Sequence, residues 1–165
     1  MTKAQYEKWS APFRKKENWK KLLAGTDRLI TAVIFLSYPA LLAYLFFAGH
    51  SSKLLLSILL PAVSFLAVSC FRAVYSAPRP YETLGIVPLL PKETKGKSFP
   101  SRHVFSAFMV AMTFLNISWP LGIAAGALGA ALSYIRVVGG AHFPKDVAAG
   151  ALLGILCGLP YFILR

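Results

Sequence analysis

Acidic side chains are scarce in this chain of 165 residues, where six Asp and Glu stand against 18 Lys and Arg, a formal net charge of +12. That leaves no obvious carboxylate pair or oxygen cage for a divalent cation. Cysteine is scarcer still. Cys70 and Cys157 both sit inside apolar stretches, which argues against a disulfide framework or a metal-ligand spacing and reads them as small core residues. Charge of either sign is missing from Leu29 to Ser52, from Leu54 to Phe71, from His103 to Ile135 and from Val147 to Leu164. A soluble core could account for one such gap, but not for all of them. The basic N-terminus has no apolar h-region or cleavage site, so no removable signal peptide is expected and the first span serves as its own insertion signal.

What is present is apolar. Hydrophobic residues make up 56%, charged residues only 15%, and the mean hydropathy is +0.59, the composition of a small polytopic membrane protein. The expected fold is all-α, a bundle of about five transmembrane helices near 28–48, 54–71, 103–118, 121–138 and 146–164. The charge-free run after Arg102 contains Ser118-Trp119-Pro120-Leu121-Gly122 at its midpoint, which combines turn residues with an interfacial aromatic. It therefore reads as two helices of about 16 residues, each about 24 Å long, joined by a tight turn. A hairpin returns the chain to the side it left, so the polar clusters before and after it share one membrane face.

Residues 1–26 form a basic amphipathic juxtamembrane segment, with Lys3, Lys8, Arg14, Lys15, Lys16, Lys20 and Lys21 interleaved with Tyr6, Trp9, Phe13 and Trp19. Pro12 is expected to break it in two. Residues 27–165 form the transmembrane domain. Anionic lipid suits the basic balance better than nucleic acid, for which no polar domain offers a groove. His50, in the short loop between the first two spans, reads as a solvated residue. Residues 75–102 form the one long connection, carrying Glu82, Lys92, Glu93, Lys95 and Lys97, and a connection of that length in so small a protein points to function. Gly150, Gly154 and Gly158, with Gly122, Gly126 and Gly129, permit close helix packing in the bundle interior. A homodimer is the other use such stripes permit.

One face of this bundle collects Arg72, Arg79, Ser101, Arg102, His103, Arg136, His142 and Asp146. Arginines in or beside membrane spans are costly, and several together repel unless an anion lies among them. The guanidinium fork matches phosphate oxygens, so the expected ligand is a phosphate group. Ser101 and His103 fall where a helix begins, and its backbone amides add donors for an anion. His142 and Asp146 are four residues apart and share a helical face, although Pro144 leaves open whether His142 lies inside that helix. A histidine oriented by a carboxylate is a nucleophile or general base, and a second histidine is a candidate general acid.

These residues resemble the three-part signature of the type 2 phosphatidic acid phosphatase family, membrane enzymes related to the vanadium-dependent haloperoxidases. Its first part, a basic residue, six spacers and Arg-Pro, is Arg72 to Arg79-Pro80. Its second, Pro-Ser-Gly-His, is Pro100-Ser101-Arg102-His103; its third, Ser-Arg, five spacers, His, three spacers and Asp, runs from Arg136 through His142 to Asp146. Three positions depart: Arg72 stands for Lys, Arg102 for Gly, and Ile135 for the Ser before Arg136. The resemblance implies a lipid phosphate phosphatase without metal or cofactor. In it His142 attacks phosphorus to form a phosphohistidine, oriented by Asp146, and His103 protonates the leaving group. Arg72, Arg79, Ser101 and Arg136 would hold the phosphate oxygens, while Arg102 would narrow the site or contact a second phosphate.

The implied substrate is a lipid monoester or diphosphate entering sideways from the bilayer, with undecaprenyl diphosphate first and phosphatidic acid or phosphatidylglycerol phosphate next. A catalytically silent lipid-phosphate-binding scaffold is the alternative from another class; vanadate-dependent oxidation and transport have less support. The chain is expected in the cell membrane. The basic N-terminus places the site on the cytoplasmic face by the positive-inside rule, whereas the family resemblance implies the outer face.

Overall fold

The computed structural model describes residues 1–90 and 94–164. Lys92 and Glu93 of the long connection therefore lie outside the described residues. Every regular element described is helical: α1 (Lys3–Arg14), α2 (Glu17–Phe47), α3 (Ser51–Val74), α4 (Pro80–Thr83), α5 (Arg102–Ile117), α6 (Trp119–Val138), α7 (Pro144–Gly158) and α8 (Pro160–Ile163). Four segments, α2, α3, α6 and the run Pro144–Ile163, are long and apolar enough to cross a membrane. The 16-residue α5 is a shorter apolar helix at the centre of the bundle, packed mainly on α6 and α7. The protein is a multi-pass membrane protein.

The outer surface follows from that setting. Leu36 is 71% exposed, Phe47 85% and Leu66 62%, side chains that suit lipid contact rather than water. Two polar contacts at depth tie helices together: Tyr38 Oη donates to the Ser57 carbonyl at 2.6 Å, joining α2 to α3, and Thr113 Oγ1 lies 3.0 Å from Tyr161 Oη, joining α5 to α8. An unsatisfied polar group in hydrocarbon would cost several kcal/mol, on the order of a whole tertiary contact.

Small residues set the α5–α7 spacing. A Cβ on Gly150 would meet the Ser101 carbonyl oxygen at 2.6 Å, one on Gly154 the Phe105 oxygen at 2.7 Å, and one on Gly158 the Met112 Cβ at 2.4 Å. One glycine stripe of α7 therefore lies directly on the backbone of α5, as interior packing requires. Gly122 is similarly confined by Leu115, and Gly129 touches Phe108, but nothing lies within 4 Å of a Cβ on Gly126. Gly126 shares their helical face, but its absent Cβ is not what lets a neighbour approach α6 there.

The N-terminal segment differs from expectation in two ways. Pro12 lies inside α1, and the chain breaks instead at Lys16, whose extended backbone (φ −138°, ψ 135°) caps the start of α2. Helix α2 then continues without interruption from the basic residues into the first span. Helix α1 is also docked. Tyr6 is fully buried, its hydroxyl donates to the Val87 carbonyl at 3.3 Å, and Arg14 donates to both Tyr6 Oη (2.9 Å) and the Val87 carbonyl (2.5 Å).

Replacing Gly150 with Val should force α5 and α7 apart and lower stability by about 1–3 kcal/mol, whereas Gly126→Ala should be neutral or slightly stabilising. Thermal unfolding of the two variants in the same detergent checks the contrast.

Candidate active site

The site forms where α3 ends, α5 and α7 begin and α6 stops. Its loop is held by backbone bonds. Ser98 N–H donates to the Ala77 carbonyl at 2.9 Å, and Ser101 N–H donates to the Asp146 carbonyl at 2.8 Å, which sets the start of α5 against the start of α7. Ser101 is the N-cap of α5, yet its hydroxyl makes no cap bond; Oγ is buried without a protein partner among the described residues. His103 stands in the first turn of α5, half-buried.

His142 lies two residues before α7, outside the helix, with Phe143 as N-cap and Pro144 in the first turn. The turn that delivers it passes through Gly140 at φ +76°, where an added Cβ would sit 2.8 Å from Tyr6 Oη. Helix α1 therefore packs directly behind the segment carrying His142. His142 and Asp146 are both essentially buried, but Nδ1 and Oδ2 are 3.7 Å apart, too far for a direct hydrogen bond.

Ser98 fills that gap. Its hydroxyl donates to Asp146 Oδ2 at 2.5 Å and lies 3.4 Å from His142 Nδ1, while Phe143 N–H donates to the same Oδ2 at 2.9 Å. With its single proton given to Asp146, the Ser98 oxygen can only accept from Nδ1–H, which leaves the lone pair of His142 on Nε2. The His142–Asp146 pair thus stands at 3.7 Å with the Ser98 hydroxyl in contact with both partners. Ser98 was not singled out from the sequence; the one signal for it was a small polar residue just before Phe99-Pro100-Ser101.

The arginines divide. Arg72 is buried and donates from Nη1 to the Ser98 carbonyl at 3.3 Å and to the Pro100 carbonyl, and from Nη2 to the Lys97 carbonyl. Arg79, also buried, donates from Nε to the Gly96 carbonyl at 3.0 Å and from Nη1 to the Ala141 carbonyl at 3.1 Å, one residue before His142. Both fix the loop that carries Ser98 and the segment that carries His142, in addition to bringing positive charge. Arg136 is buried at the end of α6, with Nε 2.8 Å from Asp27 Oδ1 of α2. Asp27 was the second missed residue, although it is one of only six acids and opens an apolar run. Ile135, beside Arg136, is a core side chain packed with Leu90, Leu132 and Val138. Arg102 has its guanidinium 5.4 Å from the ring centre of Phe65 on α3 and bonds none of these loop carbonyls.

The result is a membrane-face site with a carboxylate-supported imidazole, a half-buried second histidine and buried guanidinium groups. Among the described residues no three His, Cys, Asp or Glu side chains lie together as a cation cage. Such an arrangement can hold an anion and attack it.

Fold and site together define a polytopic helical membrane protein with a basic, histidine-bearing face. The family model of the PAP2 superfamily matches residues 52–165, and the chain belongs to that superfamily. Among curated proteins it is 29% identical over 140 residues to the undecaprenyl-diphosphatase BcrC of Bacillus subtilis, covering 81% of this chain and 70% of that protein. It is 34% identical over 90 residues to a protein of Bacillus licheniformis named bacitracin transport permease protein BcrC, covering 54% of this chain and 44% of that one. An undecaprenyl-diphosphatase of Sulfolobus acidocaldarius is 39% identical over 80 residues, covering 46% and 37%. The chain thus spans less than half the length of two of these relatives. Among solved structures, LpxE of Aquifex aeolicus aligns with a TM-score of 0.73 at 25% identity, covering 97% of this chain and 93% of that one. A PAP2-type phosphatidylglycerolphosphate phosphatase of Bacillus subtilis aligns with the same TM-score at 21% identity, covering 98% and 84%.

Two predictions test the missed residues. Ser98→Ala should lower kcat about 10–100-fold with little change in KM, the loss expected for one charge-assisted hydrogen bond in the relay. Asp27→Ala should leave Arg136 buried without its partner and lower stability by about 3 kcal/mol, and adding Arg136→Met should recover much of that loss in a thermal melt.

Proposed function

We propose that the protein is an integral-membrane phosphatase that hydrolyses a lipid phosphate or diphosphate through a phosphohistidine on His142. The observation that carries this reading is the Ser98-bridged His142–Asp146 relay, set among buried arginines and beside a buried serine hydroxyl with no protein partner. Its substrate of first choice is undecaprenyl diphosphate, which the names of two relatives carry, with phosphatidic acid and phosphatidylglycerol phosphate next.

In the first step His142 Nε2 attacks phosphorus; the N–P bond forms as the bond from phosphorus to the lipid-side oxygen breaks. His103 gives that oxygen its proton. In the second step water attacks the phosphohistidine, His103 takes the water proton, the N–P bond breaks and phosphate leaves. Asp146, through Ser98, stabilises the charge that develops on the ring. Arg136, Arg79 and Arg72, with the Ser101 hydroxyl and the amides at the start of α5, neutralise the phosphoryl oxygens. These groups supply the charge that a metal ion would otherwise supply.

Purified protein should release phosphate from at least one of the three lipids in detergent with EDTA present. His142→Ala should lower the rate at least about a thousandfold, and His103→Ala about 10²–10⁴-fold. A 32P label retained on wild type after acid-free quenching, and lost in His142→Ala, would report the covalent intermediate. No release from any lipid, by wild type and variant alike, would make the protein a lipid-phosphate-binding scaffold instead.

A further inference from the structure

Below the site, between α2, α3 and α5, lies an apolar cavity of about 390 Å³, within the ~300–1,000 Å³ range of ligand sites. Its lining includes Tyr38, Phe65, Phe105, Ser106 and Met109, and it falls within the membrane-spanning part of the bundle. Phe105, Ser106 and Met109 lie three, four and seven residues after Arg102, so Arg102 stands on the same face of α5, at the end of the cavity nearest the site. Ser101 and His103 flank it in sequence. Arg102 thus marks the end of α5 at which the cavity face and the site residues come together.

Arg102 is the motif's Gly position, and among the described residues it is the site arginine that bonds neither a backbone carbonyl nor a carboxylate. It is exposed, and its guanidinium lies over Phe65, which itself lines the cavity. Phe65 is seven residues before Arg72 on α3, about 10 Å along the helix toward the membrane interior. Among the described residues no carboxylate pairs with Arg102. A guanidinium stationed at the mouth of an apolar cavity, displaced toward the membrane from the other arginines, is costly without an anion beside it. A phosphomonoester places its only phosphate at His142. A diphosphate adds a second phosphate between that centre and the hydrocarbon chain, which is where Arg102 stands.

Resting on the phosphatase reading above, we propose that this cavity receives the hydrocarbon chain of the substrate and that Arg102 selects diphosphates by binding the chain-proximal phosphate. The departure from Gly is then a specificity determinant, and the cation–aromatic contact with Phe65 stores the side chain within reach of the incoming headgroup.

The test compares farnesyl diphosphate with farnesyl monophosphate, which share one chain, using wild type, Arg102→Gln and Arg102→Lys in detergent. Arg102→Gln should raise KM for the diphosphate about tenfold or more and leave kcat/KM for the monophosphate within about twofold; Arg102→Lys should restore most of the diphosphate KM. For the cavity, Ala62→Phe should lower kcat/KM for undecaprenyl diphosphate at least tenfold and leave isopentenyl diphosphate, whose chain is too short to reach it, within twofold. Equal losses on monophosphate and diphosphate, or no change on either, would overturn the selection by Arg102 while leaving the phosphatase reading intact. Absence of turnover by wild type on every substrate would overturn both.

Discussion

Asp146 is the joint on which the site depends. Its side chain accepts the Ser98 hydroxyl and the Phe143 amide, and its backbone carbonyl accepts the Ser101 amide. The long connection, the start of α5 and the start of α7 thus meet at one residue. That meeting is possible only because α7 presents glycine to α5, with Gly150 against the very Ser101 carbonyl whose residue donates to Asp146. Close helix packing and the geometry of the site are therefore one constraint, since the first turn of α7 cannot approach Ser101 unless the turns after it approach Phe105 and Met112.

The same economy explains the buried arginines. Irregular backbone beside a membrane must satisfy its carbonyls internally, and the loop from Gly96 to Pro100 has no sheet or helix to do so. Arg72 and Arg79 take that task, bonding the Gly96, Lys97, Ser98 and Pro100 carbonyls. The segments outside the family match contribute in kind: Asp27 faces Arg136, and Tyr6 of α1 packs behind Gly140. A basic, aromatic N-terminal segment that reads as a lipid anchor thus also supports the turn that delivers His142.

Much of this was readable from charge placement. The uncharged runs locate the spans, and the spacing of Arg72, Arg79, Ser101, His103, Arg136, His142 and Asp146 puts them on one face. What could not be read was which polar atom meets which. Ser98 looked like a loop serine because its role depends on the chain folding back over Asp146, 48 residues later. Asp27 looked like the start of a span because its partner lies on α6, which no local period connects to α2. Gly126 fitted a small-residue stripe in sequence, but the stripe touches its neighbour only through the glycines on either side.

On the proposed reading, the hydrogen bonds also rank the arginines as phosphate ligands, a ranking the motif alone does not contain. A guanidinium carries five N–H donors. Among the described residues Arg72 commits three to loop carbonyls and keeps two, and Arg79 commits two and keeps three. Arg136 commits none to a carbonyl, its Nε standing 2.8 Å from Asp27 Oδ1 as an ion pair. The arginine with the most donors left is the one whose charge is balanced by a carboxylate behind it. That arrangement lets Arg136 present its fork to an incoming phosphate without the full repulsion of an unpaired cation beside Arg72 and Arg79. Arg72 and Arg79 build the site; Arg136 is the side chain best placed to close on what enters it.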